Sequence, residues 1–282
     1  AILKHSHRPL IALILGFTCF CLLTATAHAR EKVLRIPYPE DPKTADCQMN
    51  TDSYTLPLNV FDRLVEAITV SPGKSKLVPG LAGSWDISAD GKVYTFHLRR
   101  GVLFHNGEEL TADDVVYTFD RMLNPATKAL NSDILTFVDG AQERLDGKAD
   151  STKGLKALDT YTVRISLIEP YAPFIAVLAS PQASIFNRKF TEPLGSQFGL
   201  SPETTCGTGP FILKKYVLND YQTLVANDNY YKGRPKLDKI FIRVVPDSET
   251  LRLLFENDEL DTFDCDYAIS QLPYFYSSPK WR

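Results

Sequence analysis

The stretch Asp90-Gly91-Lys92-Val93-Tyr94-Thr95-Phe96-His97-Leu98-Arg99-Arg100-Gly101-Val102, followed by Leu110-Thr111-Ala112-Asp113-Asp114-Val115-Val116-Tyr117, decides the fold class. Asp90-Gly91 is a turn signal between two strands, and in the second strand Tyr94, Phe96 and Leu98 share one face. Thr111 and Asp114 then form a variant capping box, which opens a helix carrying Val115, Val116, Phe119, Met122 and Leu123. A strand pair running into an amphipathic helix predicts a mixed fold.

The same alternation continues outward. Val33 to Pro37 reads as a strand. Asp52 or Ser53 is expected to cap a helix running to about Ala67, with Pro57 in its first turn. Val60, Phe61, Leu64, Val65 and Ile68 stand at helical spacing along it. Leu77 to Trp85 reads as a loop-rich entry. Val163, Ile165 and Leu167 alternate, two strands flank the turn at Asn219-Asp220, and Ile240, Ile242 and Val244 make a further strand. Asp247 or Ser248 caps a last helix holding Leu251, Leu254 and Phe255. This order argues for an α/β or α+β design without repeats. Pro170 to Pro173 and Pro181 mark the switch region between lobes.

The chain has 282 residues, 44% of them hydrophobic and 23% charged, which excludes a disordered or coiled-coil chain and suggests about two domains. A net charge of -3 shows no basic surplus of the kind nucleic-acid binders carry, so no nucleic-acid partner is expected. Residues 1–29 read differently. Lys4, His5, His7 and Arg8 precede the uncharged run Leu10 to Leu23, and Ala27-His28-Ala29 fits a small-residue cleavage site. The apolar run is short of the roughly 20 residues needed to span a bilayer, so cleavage after Ala29 is expected. Loss of Lys4 and Arg8 moves the net charge from -3 to -5. Cys47, Cys206 and Cys265 remain, permitting one disulfide in any of three pairings. His97 and His105 remain too, neither near a second ligand at zinc spacing.

Motifs for covalent chemistry are missing. Pro72-Gly73-Lys74-Ser75 resembles the end of a phosphate loop, but Ile68 stands where its first glycine belongs. Cys206-Gly207-Thr208-Gly209-Pro210 leads into a strand rather than a helix. Glu259, Asp261, Asp264 and Asp266 cluster, as a solvated face would. No enzymatic activity and no cofactor are expected.

The resemblance lies in ordered motifs: Leu77-Val78-Pro79-Gly80-Leu81-Ala82-Gly83-Ser84-Trp85, the Asp90 to Val102 stretch, Phe104-His105-Asn106-Gly107-Glu108 and Leu110 to Tyr117. It continues through Gly207-Thr208-Gly209-Pro210-Phe211, Asn229-Tyr230-Tyr231-Lys232-Gly233-Arg234-Pro235-Lys236-Leu237-Asp238 and Phe255-Glu256-Asn257-Asp258-Glu259-Leu260-Asp261. Together these resemble the family 5 extracellular solute-binding proteins, the dipeptide and oligopeptide receptors of ABC importers, over most of residues 33–270. The resemblance implies a periplasmic-binding-protein-like type II lobe with an inserted α+β domain. Residues 30–55 and 183–282 would form lobe I and residues 56–182 the inserted domain II. The second lobe, lobe III, would be missing, making the sequence an N-terminal fragment.

The same resemblance places ligand contacts on Met49, Asn50, Thr51 and Asp52, and on Asp264, Cys265 and Asp266. An aspartate there would pair with a ligand's amino group. Cys265 stands where the family usually has an apolar or amide residue. Gly207 and Gly209 fit either ligand approach beside the sheet or a tight bend. Cys47 and Cys206 fall in one implied lobe and are expected to pair, leaving Cys265 free. The expected function is capture of a small peptide or other amine-bearing solute by a periplasmic monomer, which delivers it to an ABC permease and its ATPase. The alternative is an extracytoplasmic sensor or chaperone-like module not coupled to import.

Overall fold

The computed structural model describes residues 31–51 and 54–281, and the leader expected at residues 1–29 lies outside them. Ten strands are β1 (Val33–Tyr38), β2 (Val65–Ser71), β3 (Lys74–Pro79), β4 (Ala82–Ile87), β5 (Val93–Leu98), β6 (Leu155–Asp159), β7 (Thr162–Ser166), β8 (Phe211–Val217), β9 (Tyr221–Ala226) and β10 (Lys239–Val244). The helices are α1 (Thr55–Val60), α2 (Ala112–Leu123), α3 (Ala141–Leu145), α4 (Phe174–Val177), α5 (Arg188–Thr191), α6 (Ser248–Glu256) and α7 (Leu272–Ser277). None of the described helices is long and apolar enough to cross a membrane.

Two four-stranded sheets carry the fold. The first has the order β1-β10-β9-β8, with β1 parallel to β10 and the other pairs antiparallel. Its strands come from both ends of the described chain, and the second sheet, β4-β5-β7-β6, comes wholly from between them. Each sheet has its own core. Phe211, Leu213, Leu224, Ile240 and Ile242 pack with Leu56, Val60, Phe61, Phe186 and Phe198. Tyr94, Phe96, Val163 and Ile165 pack with Val115, Phe119, Met122 and Leu123 of α2. The period-2 burial of β5 and the helical burial of α2 are what those sequences predict. The Asp114 carboxylate accepts the Thr111 amide and hydroxyl, both at 2.9 Å, closing the capping box.

Three expectations are corrected. The helix expected from residue 52 to 67 is only α1, with Tyr54 at its N-cap; Asp52 and Ser53 lie outside the described residues. Beyond it the chain turns extended at Phe61 and forms β2, which pairs with β3 from Val65↔Pro79 onward. The β-branched run Val65, Ile68, Thr69 and Val70, closed by a turn with Gly73 at φ +71°, overrides the helical spacing. That spacing spans two cores, Val60 and Phe61 belonging to one and Leu64 and Val65 to the other. Second, Leu77 to Trp85 is no loop but the end of β3 and the start of β4. Third, Cys47 and Cys206 are free thiols, Cys47 in the first sheet's core and Cys206 in the other. Burial pushes the Cys47 thiol up to about 12 and that of Cys206 up to about 11, so both stay protonated.

Candidate ligand-binding site

The segment holding Met49, Asn50 and Thr51 follows a single 3-10 turn, Cys47–Met49, whose N-cap Asp46 accepts the Gln48 amide. So short a turn has little stability of its own. Its support comes from the inserted sheet's layer. Arg121 of α2 donates to Asp46 Oδ2 at 2.6 Å and also to Gln48 Oε1. Gln48 Nε2 donates to the Thr118 carbonyl at 2.8 Å, and the Leu130 amide donates to the Gln48 carbonyl at 2.9 Å. Asn131 Nδ2 donates to the carbonyls of Asn50 (2.7 Å) and Cys47 (3.4 Å).

This network is buried. The side chains of Asp46 and Arg121 are 3% and 10% exposed, and Gln48 is fully buried. Burial holds the Asp46 carboxyl above its ordinary value, with Arg121 and the Gln48 amide acting the other way. A buried pair of this kind adds little net stability but fixes geometry, since neither partner tolerates loss of the other. Beyond it the Tyr54 hydroxyl donates to the Asn50 carbonyl at 2.7 Å and accepts from Gln182 Nε2 at 2.9 Å. Of the four residues predicted here, Asn50 is buried, Met49 half-buried and Thr51 exposed. Asp52 lies outside the described residues. Met49 also lines a groove of about 750 Å³ between α2, the 144–155 segment and residues 188–200.

Asp264, Cys265 and Asp266 rest on a different support. Asp261, just before them, is tied to Arg35 of β1: the Asp261 amide donates to the Arg35 carbonyl, and the Arg35 amide donates to the Asp261 carboxylate at Oδ2. The Arg35 guanidinium donates to both Asp261 oxygens and holds that carboxyl below its usual range. Asp264 accepts the Asp266 amide at 2.9 Å, a local turn bond. Cys265 and Asp266 are exposed, and Asp264 is half-buried. The Tyr267 ring packs against the small core of Val245, Leu251, Leu254, Leu260 and Ala268.

Gly207 and Gly209 meet protein backbone. A Cβ on Gly207 would stand 2.0 Å from the Val60 carbonyl oxygen, and one on Gly209 2.5 Å from the Val60 carbonyl carbon. Close packing on the end of α1 therefore demands glycine at both positions. Two titratable groups, Asp62 buried and His105 half-buried, clamp the same loop. The Asp62 carboxylate accepts from Thr208 Oγ1 and the Tyr230 hydroxyl, and burial pushes it up to about 6. His105 Nε2 donates to the Gly209 carbonyl at 3.0 Å, its Nδ1 accepts the Gly207 amide, and burial pushes it down to about 4.

Sequence reading missed Arg121, Asn131, Gln48, Asp62 and His105. Arg121 lies 75 residues from Asp46, and no local pattern marks such a pair. His105 had the only visible signal, its place beside Asn106-Gly107 in a motif of the resembled family.

A mixed sheet with one parallel pair, interrupted by an α+β layer, is the architecture of a lobe of the periplasmic-binding-protein-like class. Comparison with known proteins narrows this. The profile of the bacterial extracellular solute-binding proteins, family 5, matches residues 76–280. A di/tripeptide-binding protein of Pseudomonas aeruginosa is 33% identical over 79% of this chain and 43% of its own length. A heme-binding protein A of Haemophilus influenzae is 37% identical over 68% of this chain and 35% of its own. A periplasmic oligopeptide-binding protein of an oligopeptide ABC transporter from Borrelia burgdorferi superposes with a TM-score of 0.80 at 30% identity, covering 88% of this chain and 50% of that structure. The chain belongs to the family 5 bacterial extracellular solute-binding proteins. It spans about half the length, or less, of the relatives it matches.

Proposed function

We propose that this chain is part of an extracytoplasmic receptor that captures di- and tripeptides, or similar amine-bearing solutes, and hands them to an ABC permease and its ATPase. The observation that carries the reading is the 33% identity to a di/tripeptide-binding protein over 79% of the chain. Residues Met49 to Asp52 and Asp264 to Asp266 contribute contacts on one wall of the cleft. An extended peptide takes backbone hydrogen bonds from such segments, and an aspartate meets its ammonium group. That charge-assisted bond contributes about 1.5–3 kcal/mol net. Residues 1–29 direct export and are removed, and the receptor works as a periplasmic monomer by binding rather than by catalysis. Lobe closure over the solute then produces the form that the permease receives.

A second reading is a porphyrin ligand, favoured by the 37% identity to a heme-binding protein. His105 is engaged through both ring nitrogens, with Gly207 and Gly209, which leaves it unready to ligate iron; His97 is engaged through Nε2 with Asp86. Parallel titrations with a dipeptide panel and with hemin separate the readings. Peptide-induced amide shifts with an unchanged hemin spectrum are expected; a saturable Soret shift without peptide response would replace the first reading by the second.

A further inference from the structure

We propose that the inserted layer holds the ligand wall in place, with Arg121 and Asn131 as positioning residues for the segment 46–51. The inference rests on the peptide reading above and adds residues that reach a ligand only through that segment. Four features carry it. The regular structure of the segment is one 3-10 turn, Cys47–Met49, too short to hold itself. Its carbonyls at Cys47, Gln48 and Asn50 are bonded by groups from residues 130–131. Its side chains at Asp46 and Gln48 are bonded by Arg121, and Gln48 reaches back to the carbonyl of Thr118 on the same helix. Finally, the guanidinium sits 5.5 Å over the Phe186 ring and 5.7 Å over that of Phe198, both in the first sheet's core. A rigid fork fastened to α2 thus spans from one core to the segment beside the other. Lysine, a point charge on a flexible stem, has no equivalent geometry.

The consequence is that substitutions in the inserted layer, away from any ligand, lower affinity. A wall left to sample other conformations binds only in the fraction of time it is correctly placed. The test uses the whole chain and alanyl-leucine as probe, with Arg121→Gln, Arg121→Lys and Asn131→Ala. Amide hydrogen exchange of residues 47–51 reports positioning without ligand, and amide shifts in the presence of dipeptide report binding. In the variants, the correctly placed fraction should fall to about one-tenth, so exchange in 47–51 should approach the unprotected rate while β8, β9 and β10 keep their protection. If the wild-type dissociation constant is about 1 mM, saturation at about 2 mM dipeptide should fall from about two-thirds to about one-sixth. Arg121→Lys should recover the melting temperature lost in Arg121→Gln without recovering saturation. Unchanged exchange in all three variants would overturn the proposal, as would faster exchange with unaltered saturation. A wild-type chain that gives no dipeptide response would instead sink the peptide reading, and exchange would still decide whether the two side chains hold the segment.

Discussion

Asp62 and His105 illustrate what single residues do here. Asp62 is buried and His105 half-buried, both grip the loop around Gly207 to Gly209, and both favour their neutral forms. Asp62 is raised to about 6, so its contribution is full below the unfolded value of about 3.9 and is lost as pH rises through about 6. His105 is lowered to about 4, so its contribution is full above about 6.5 and is lost as pH falls through about 4. Each contribution is on the order of 3 kcal/mol. The two windows overlap with opposite slopes, so the pair alone makes stability nearly flat between them. Single substitutions should expose each slope. Asp62→Asn should gain stability over wild type progressively as pH rises from about 4 to 7, and His105→Gln should gain as pH falls over the same range. Urea melts at several pH values would show it, and parallel curves for variant and wild type would refute it. At Gly209, alanine meets the Val60 backbone, and a loss of at least about 2 kcal/mol is expected in the same melts.

Elements differ in how far their own sequence specifies them. In α2, the Asp114 carboxylate receives Thr111 and also the Arg188 amide at 2.8 Å. Thr111→Ala should therefore cost about 1 kcal/mol, the usual price of a lost cap. Asp114→Ala should cost about twice that, because it strands the Arg188 amide as well. Equal denaturation midpoints for the two variants would contradict the double role. Such elements were legible because period and cap are local: β5, α2, the β8–β9 hairpin with Asn219 at φ +59°, and α6 capped by Asp247 all follow from neighbouring residues. The β2–β3 hairpin was not, because Val60, Phe61, Leu64, Val65 and Ile68 fit a helix, although the first four serve two cores and Ile68 is exposed. Of the candidate site, the resemblance supplied the proposed segments, while the side chains that support them stayed hidden. Arg121 and Asn131 act across gaps of 75 and 81 residues, and pairings at that range leave no trace in local pattern.

At the scale of the molecule, the terminal sheet is closed only when β1 meets β10, a parallel pairing that joins Val33 to Lys239. The insertion between them supplies a second core and, through Arg121, grips the candidate ligand wall. Free thiols rather than a disulfide accompany this arrangement. In the chain lacking residues 1–29, Cys265 should react quickly with a thiol reagent, and Cys47 and Cys206 only upon unfolding. Cys47–Cys206 linkage in an unreduced peptide map would contradict that. Mass spectrometry of exported protein should find Arg30 at the N-terminus; a retained leader in the membrane fraction would count against export by cleavage.

The claim that residues Met49 to Asp52 and Asp264 to Asp266 meet a peptide is tested most directly by titrating the chain with alanyl-leucine while following backbone amides. Two short segments with one charge-assisted contact predict weak binding, near 1 mM or about -4.1 kcal/mol. The predicted result is saturable shifts confined to residues 48–52 and 263–267 with a midpoint near 1 mM. Shifts confined to other surfaces, or none up to about 10 mM dipeptide, would contradict the account.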